Sequence, residues 1–295
     1  MSGSGSKLPE IAVVGGGASG VMAALAAKKQ AAFVGRSVNI RIYEASDRLL
    51  KKILVTGNGR CNLSNADISA AYYFGERALF DRVYPGFDAA GTLSFFEEAG
   101  LLTVTDAAGR IYPQSMKAAS VADVLLRAVE RSGVETVLNT KIESLQKNGG
   151  GYLLNGRFRA DGVILAAGGM IGASGKRADS VYASLKANGI AVTSLQPALT
   201  AFTVKDFTKS LKGIRAAGRL YLAADNKIVA QTEGEIQYTE YGVSGIPAMQ
   251  LSSHAARISG GAPLFLIADS LPMTDEKAFR AHFGRMMRPD PDMPL

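Results

Sequence analysis

Apolar residues recur along this chain in two different rhythms, and the change between them divides it. In the amino-terminal part, short β-branched runs alternate with longer stretches of helical composition. Pro9 to Gly15 (PEIAVVG) is a compact apolar run closed by glycine, the pattern of a central parallel strand covered on both faces. Ala18 to about Phe33 is rich in Ala and Leu and predicts a helix. Gly35, Arg36 and Ser37 make a turn, and Asn39 to Glu44 (NIRIYE) alternates apolar with polar as a second strand. Strand, helix, strand in that order implies a right-handed βαβ unit.

The rhythm continues. Asp88 to Ala99 predicts a helix ended by Gly100, and Leu101 to Tyr112 predicts short strands about a turn at Ala107-Ala108-Gly109. Ser120 to Arg131 reads as a helix with Ser120 at the N-cap, Asp123 three residues on and Gly133 past its end, feeding a third parallel strand at Val134 to Leu138. Lys141 to Arg159 reads as a meander turning at Gly149 to Gly151, Gly162 to Gly168 as another buried strand, and Asp179 to Asn188 as a helix. After about Ala191 the grain becomes consecutive strands: LTAFTV, GRLYLAA, KIVAQTEG and EIQYTE. That shift marks a second, mainly antiparallel β domain beside an α/β first domain. The expected divisions are a flexible leader at 1–8, a cofactor domain at 9–190, a β-rich domain at 191–272, and at 273–295 a helix from Glu276 to Met287 with a proline-rich end.

Composition narrows the class. The chain has 295 residues, 47% hydrophobic and 20% charged, which suits a soluble globular protein with two cores. Its single cysteine cannot form an intramolecular disulfide, and with two separated histidines no zinc constellation is expected. The apolar stretch Ile11 to Ala27 is interrupted by Gly and Ser and reads as strand, turn and helix rather than a membrane span or signal core, so the cytoplasm is the expected location. The net charge of +7 is scattered rather than clustered, so nucleic acid is not the expected partner.

Chemistry concentrates in glycines. GGGASG fits G-x-G-x-x-G through Gly15, Gly17 and Gly20, between a predicted strand and a predicted helix, where backbone N–H groups and the helix dipole receive a pyrophosphate. Glu44, at the end of the second strand, suits ribose hydroxyls and would repel a 2′-phosphate, which favours FAD or NAD over NADP. LAAGG at Leu165 to Gly169 is a second glycine-ended strand, and two close approaches of backbone to ligand suggest a long one such as FAD. Lys51 to Phe74 is a long loop rich in Gly, Asn and Ser, and ordered loops of that length usually carry function. A dithiol cycle at Cys61 is excluded for want of a second cysteine, leaving a packed side chain as the favoured reading.

DRLLKKILVTGNGRCNLSN, GRIYPQSMKAASVADVLLRA, VILAAGGMIG and GEIQYTEYGVSGIPAMQLSS together resemble the BaiN-type, aminoacetone-oxidase-like FAD-dependent oxidoreductases, over about Ile11 to Leu271. The resemblance implies a glutathione-reductase-like FAD-binding Rossmann domain with a mainly antiparallel β domain inserted into it. It implies that Gly15, Gly17, Ala18, Ser19 and Gly20 hold the pyrophosphate and Glu44 the ribose. Lys51, Thr56, Gly57, Asn58, Gly59, Arg60, Cys61 and Asn62 would run along the flavin, with Ala167 and Gly168 near the dinucleotide; Arg60 and Asn62 are the candidate catalytic residues. The implied activity is flavin-mediated hydride or electron transfer on a small organic substrate, with NADH or NADPH as a transient donor. A non-catalytic nucleotide-binding remnant and a nucleic-acid-directed flavoprotein are the alternatives. Two departures stand out. The family pattern GxKxLxTGNGRCN opens on glycine where this chain reads Leu49-Leu50-Lys51-Lys52, and the family's return segment after the inserted domain is not found beyond LFLIADSLP, which predicts an incomplete flavin wall and an exposed sheet edge.

Overall fold

A computed structural model describes residues 7–73, 75–170, 181–258, 263–272 and 274–286. The chain divides into two compact units, Met1–Val192 and Thr193–Leu295. The leader expected at 1–8 and the proline-rich end lie wholly or mostly outside the described residues.

In chain order the first unit has β1 (Glu10–Val14), α1 (Ala18–Phe33), β2 (Asn39–Tyr43), a 3-10 segment Ile53–Gly59, β3 (Ser64–Asn65), α2 (Arg77–Val83), α3 (Ala89–Glu98), β4 (Thr103–Thr105), β5 (Arg110–Pro113), α4 (Ala118–Ser132), β6 (Glu135–Val137), β7 (Leu145–Asn148), β8 (Gly151–Leu154), β9 (Phe158–Ala160), β10 (Gly162–Leu165) and α5 (Val181–Ala187). Its central sheet runs β10-β1-β2-β6 and is parallel throughout, the arrangement of a Rossmann-like cofactor fold. Antiparallel β3-β5-β4 and β7-β8-β9 complete the unit.

The uninterrupted apolar run of β1 follows from its two buried faces. Val13, with Ile40 and Ile42 of β2, packs under α1 and α4 through Val21, Ala24, Val121 and Leu125. Ala12 and Val14, with Tyr43, face the opposite way onto Leu145, Leu154 and Ala160 of the β7-β8-β9 meander. Alternate residues of one strand thus enter two cores, and no polar position is tolerated between them.

The helix expected to start at Ser120 starts instead at Ala118, with extended Lys117 at its N-cap; Ser120 lies in the first turn, its hydroxyl 2.8 Å from that of Ser115. Burying Ala118 on the stripe that carries Val121, Ala122 and Leu125 adds apolar contact that a Ser120 start would forgo. The other end is as expected, with Gly133 left-handed at φ 68°. Strand β10 is half-buried rather than buried, lying at the sheet's edge. The short helix α2 has no counterpart in the sequence reading.

The second unit has β11 (Phe202–Thr203), β12 (Arg215–Ala224), β13 (Lys227–Tyr238), β14 (Gly242–Ser244), α6 (Ile246–Ala255), β15 (Leu264–Asp269) and α7 (Glu276–Met286). Its sheet, β11-β14-β13-β12-β15, is antiparallel. The runs KIVAQTEG and EIQYTE are not two strands: β13 continues through Gly234, where Pro247 of α6 packs over the backbone and a Cβ would lie a tight 3.1 Å from its ring. Asp225 and Asn226 join β12 to β13 with φ 48° and 60°, the two left-handed residues of a tight hairpin. Leu220, Leu222 and Ile236 pack beneath Ala248 and Leu251 of α6.

Leu222 is fully buried in that core. Leu222→Ala is expected to lower the unfolding free energy of the second unit by about 2–5 kcal/mol, read by urea denaturation; a loss under about 0.5 kcal/mol would mean that this core does not hold the unit together.

Candidate functional site

The glycine loop sits where parallel strands diverge. After β1 the chain crosses to β2 on one side, while β10 pairs on the other, so the carboxyl ends of β1 and β10 flank a topological switch point where open α/β sheets bind ligands. Gly15 turns there with φ +105°, and a Cβ on it would lie 2.5 Å from the Ala166 carbonyl oxygen and 2.8 Å from Cα of Ala167. The GGGASG and LAAGG segments are therefore in van der Waals contact, and Ala167 and Gly168 leave β10 exposed beside the first glycine. At Gly20, on the buried face of α1, a Cβ would come within hard-sphere contact of the Gly15 carbonyl oxygen, so helix and strand approach as closely as backbones allow.

Gly17 behaves differently, because a Cβ there meets nothing within 4 Å. It is the N-cap of α1, with no side-chain cap and no acidic residue in the first turn. The amides of Ala18 and Ser19 are exposed and make no hydrogen bond among the described residues. A 16-residue helix thus points its unsatisfied N–H groups and positive dipole end into open space. These residues fit a pyrophosphate: two glycines demanded by close packing and one that leaves the approach clear.

Glu44 ties this edge together. One carboxylate oxygen accepts from Gly16 N–H at 2.7 Å and the other from Ser46 N–H at 2.7 Å. A carboxylate has about four lone-pair sites, so acceptor capacity is left for ribose hydroxyls. The Ser46 partner carries no signal in the sequence reading.

The long loop is pinned from below. Leu50 N–H donates to the Gly16 carbonyl at 2.8 Å, and Leu49, Leu50, Ile53 and Cys61 are buried in the core beneath α1 and α4. Above those anchors the backbone reverses through left-handed residues: Gly57 (φ 54°), Asn58 (59°), Gly59 (79°) and Cys61 (60°). Cys61 N–H donates to Thr56 at 3.1 Å, and the Thr56 hydroxyl to Ile53 at 2.7 Å. Of the residues expected along a flavin, Gly57, Asn58, Gly59 and Arg60 crown the reversal exposed. Lys51 is exposed too and pairs with Asp47 at 3.4 Å. Arg60 makes no side-chain hydrogen bond or ion pair among the described residues, and Asn62 opens onto a cavity of about 370 Å³ with Asn65, Asp88 and Thr92. Cys61 points the other way: it is 6% exposed, and burial pushes its thiol above the ordinary range, against a weaker opposing hydrogen bond with Thr56.

The departure from the family pattern now has a physical account. Counted back from Thr56, the glycine of GxKxLxTGNGRCN falls on Leu50, and Leu50 has φ +61°, a left-handed conformation that favours glycine. A non-glycine residue there costs about 1–2 kcal/mol, while full burial of a leucine side chain contributes about 1.5–3 kcal/mol. Leu50 is 1% exposed, so burial outweighs the strain.

Sequence reasoning missed an aromatic cluster beside this loop. Phe80 and Tyr84 stack with ring centroids 4.8 Å apart, and Tyr73 leans against Phe80 at 4.5 Å with its ring tilted by 48°. Its signal was the i, i+4 spacing of Phe80 and Tyr84 on α2 and the turn that follows.

The family model described as HI0933-like protein Rossmann domain matches residues 9–271. The 3-dehydro-bile acid delta(4,6)-reductase of Clostridium scindens is 36% identical over 286 residues, covering 93% of this chain and 68% of that protein. The ribosomal RNA dihydrouridine synthase of Haemophilus influenzae is 21% identical, covering 84% of this chain and 62% of that protein. Among solved structures, an oxidoreductase from Methanosarcina mazei aligns over 96% of this chain and 83% of its own at 12% identity, with a TM-score of 0.33. No described helix is long and apolar enough to cross a membrane.

Two outcomes test the loop. Cys61 should alkylate slowly with iodoacetamide in the native protein, because burial withholds both access and thiolate, and quickly in urea; equal rates would refute the buried thiol. Leu50→Gly relieves the strained φ but empties a core position, so net stability should fall by about 1 kcal/mol by denaturant titration, and a gain would show that strain outweighs burial here.

Proposed function

Because the chain belongs to the HI0933-like Rossmann family of FAD-dependent oxidoreductases, we propose that it binds FAD at the carboxyl edge of its parallel sheet and reduces a small organic substrate. The observation that carries this reading is the open space over Gly17 at an uncapped helix start, flanked by glycines that admit no side chain. Gly15, Gly17, Ala18, Ser19 and Gly20 hold the pyrophosphate through backbone N–H groups, and Glu44 accepts from the adenosine ribose with the lone pairs its two amide partners leave. Ala167 and Gly168 border the dinucleotide, whose placement follows the glutathione-reductase-like pattern. Lys51, Thr56 and the reversal Gly57 to Asn62 run along the flavin ring, with Cys61 fixing that loop from the core rather than reacting. When bound, the flavin supplies the hydride or electron transfer, and the protein's part is to bind, orient and exclude water.

Arg60, exposed and unpaired among the described residues, offers its guanidinium to the flavin's anionic side or to substrate, and Asn62 offers a neutral amide facing the adjoining cavity. NADH or NADPH serves as the transient donor. The name of the 36%-identical relative, a reductase of a 3-dehydro-bile acid, supports a reductase acting on a ring-bearing molecule. A second reading, a flavoprotein directed at RNA, is favoured by the name of the 21%-identical relative. It requires RNA binding that weakens steeply with salt, and salt-insensitive or absent binding removes it.

The chain mixed with excess FAD is expected to show a bound-flavin spectrum and gain about 2.7 kcal/mol of stability at a hundredfold excess over Kd. Gly17→Val should weaken FAD by roughly tenfold or more while leaving the melting temperature without FAD unchanged, since its side chain meets no protein atom. Unaltered FAD affinity in that variant would refute the assignment, and absence of FAD binding by the parent chain would favour a remnant without turnover.

A further inference from the structure

We propose that the aromatic cavity of α2 and the polar cavity beside Asn62 form one chamber for a neutral, ring-bearing small molecule carrying a carbonyl or hydroxyl at one end. The first cavity, about 510 Å³, is walled by Leu79, Phe80, Val83 and the rings of Tyr73, Tyr84 and Phe87. The second, about 370 Å³, shares those last three rings with it and continues to the amides of Asn62 and Asn65 and the hydroxyls of Ser64 and Thr92. Apolar body and polar end therefore adjoin within the first unit, at volumes usual for small-molecule sites.

The lining chooses the ligand. The near-parallel Phe80 and Tyr84 rings, 15° apart, present an edge and face against which a flat or fused ring packs well. A phosphate-bearing nucleotide is disfavoured, because the cationic Arg77 is paired with Asp81 at 2.9 Å and the remaining charges, Glu76 and Asp88, are carboxylates. Asp88 likewise repels an anionic end at the polar cavity, where it caps α3 by accepting from Gly91 N–H at 2.8 Å. Neutral amides and hydroxyls remain, and these suit a carbonyl or hydroxyl. Leu79 and Val83 are each 61% exposed, a cost in apolar surface that an apolar ligand would relieve. Calling this ligand the substrate rests on the flavoenzyme reading, because only then does the Asn62 loop carry the reacting centre; binding itself needs no flavin.

The test is fluorescence titration of the full chain with the neutral dye nile red, followed by displacement with fluorenone or with its hydrocarbon counterpart fluorene. Saturable enhancement is expected, with fluorenone displacing at roughly tenfold lower concentration than fluorene. Phe80→Ala should weaken nile red by roughly tenfold. Leu79→Glu, at a position exposed enough to keep the fold, should do the same if Phe80→Ala unfolds. Unsaturable enhancement, equal displacement by the two competitors, or unchanged affinity in Leu79→Glu overturns the proposal. So does sedimentation showing a dimer that Leu79→Glu dissociates, since a second copy would then cover the patch. A chain that holds FAD yet ignores nile red sinks this proposal alone, and one that binds nile red but no FAD sinks only the flavoenzyme reading.

Discussion

The carboxylate of Glu44 holds the working edge of the first unit. By accepting from Gly16 and Ser46 it joins the loop that follows β1 to the loop that follows β2, and Leu50, later in that second loop, donates back to Gly16. Two segments distant in sequence share one small backbone neighbourhood. Charge-assisted hydrogen bonds of this kind are about twice as strong as neutral ones. The arrangement is possible only because the glycines around it allow backbones to meet, as Gly15 does against Ala166 and Ala167. A side chain at any of these contacts would separate the strands whose ends build the cradle.

Two cores keep that edge rigid. Successive residues of β1 are claimed alternately by the helices α1 and α4 and by the β7-β8-β9 meander, so the strand cannot shift register without exposing apolar side chains on both faces. The loop residues Leu49, Leu50, Ile53 and Cys61 enter the helical core, which converts an irregular segment into an ordered one and tolerates a left-handed leucine in its midst. Cys61 belongs to that anchorage. Its buried thiol, held above the ordinary range, is a poor nucleophile, and the exposed apex of the loop is left to Gly57 through Arg60.

Most of the parallel sheet was legible because its signals are local: an apolar run ended by glycine, a helix of Ala and Leu, a strand ending in Glu44. The errors fell where tertiary contacts compete with local ones. Ser120 has the chemistry of an N-cap, yet burial of Ala118 draws the helix start upstream; Gly234 has the chemistry of a turn, yet Pro247 packing turns it into the middle of a long strand. The Glu44 clamp was half legible, since the carboxylate is visible in sequence but its partners are backbone amides, which every residue except proline possesses. The left-handed Leu50 was not legible at all, because leucine's own preference argues against it and only the core beneath explains it.

The two sides of the candidate site differ in which atoms do the recognising, and that difference sets what a sequence can disclose. Around Gly15 to Gly20 the recognising atoms are backbone N–H groups, so only glycine spacing and a strand-to-helix transition are needed, and both are written in a short motif. Around Tyr73, Phe80, Tyr84 and Asn62 the surfaces are side chains gathered from a loop, α2 and the start of α3, and their meaning depends on how those elements pack. A backbone cradle admits one class of ligand and varies little with the residues flanking it. A side-chain chamber changes with a single substitution, as replacing Leu79 by glutamate would place a charge in an apolar wall. If the two proposals hold, cofactor class follows from the first surface and the identity of the reduced molecule from the second, with the loop that turns from Gly57 to Asn62 bordering the second.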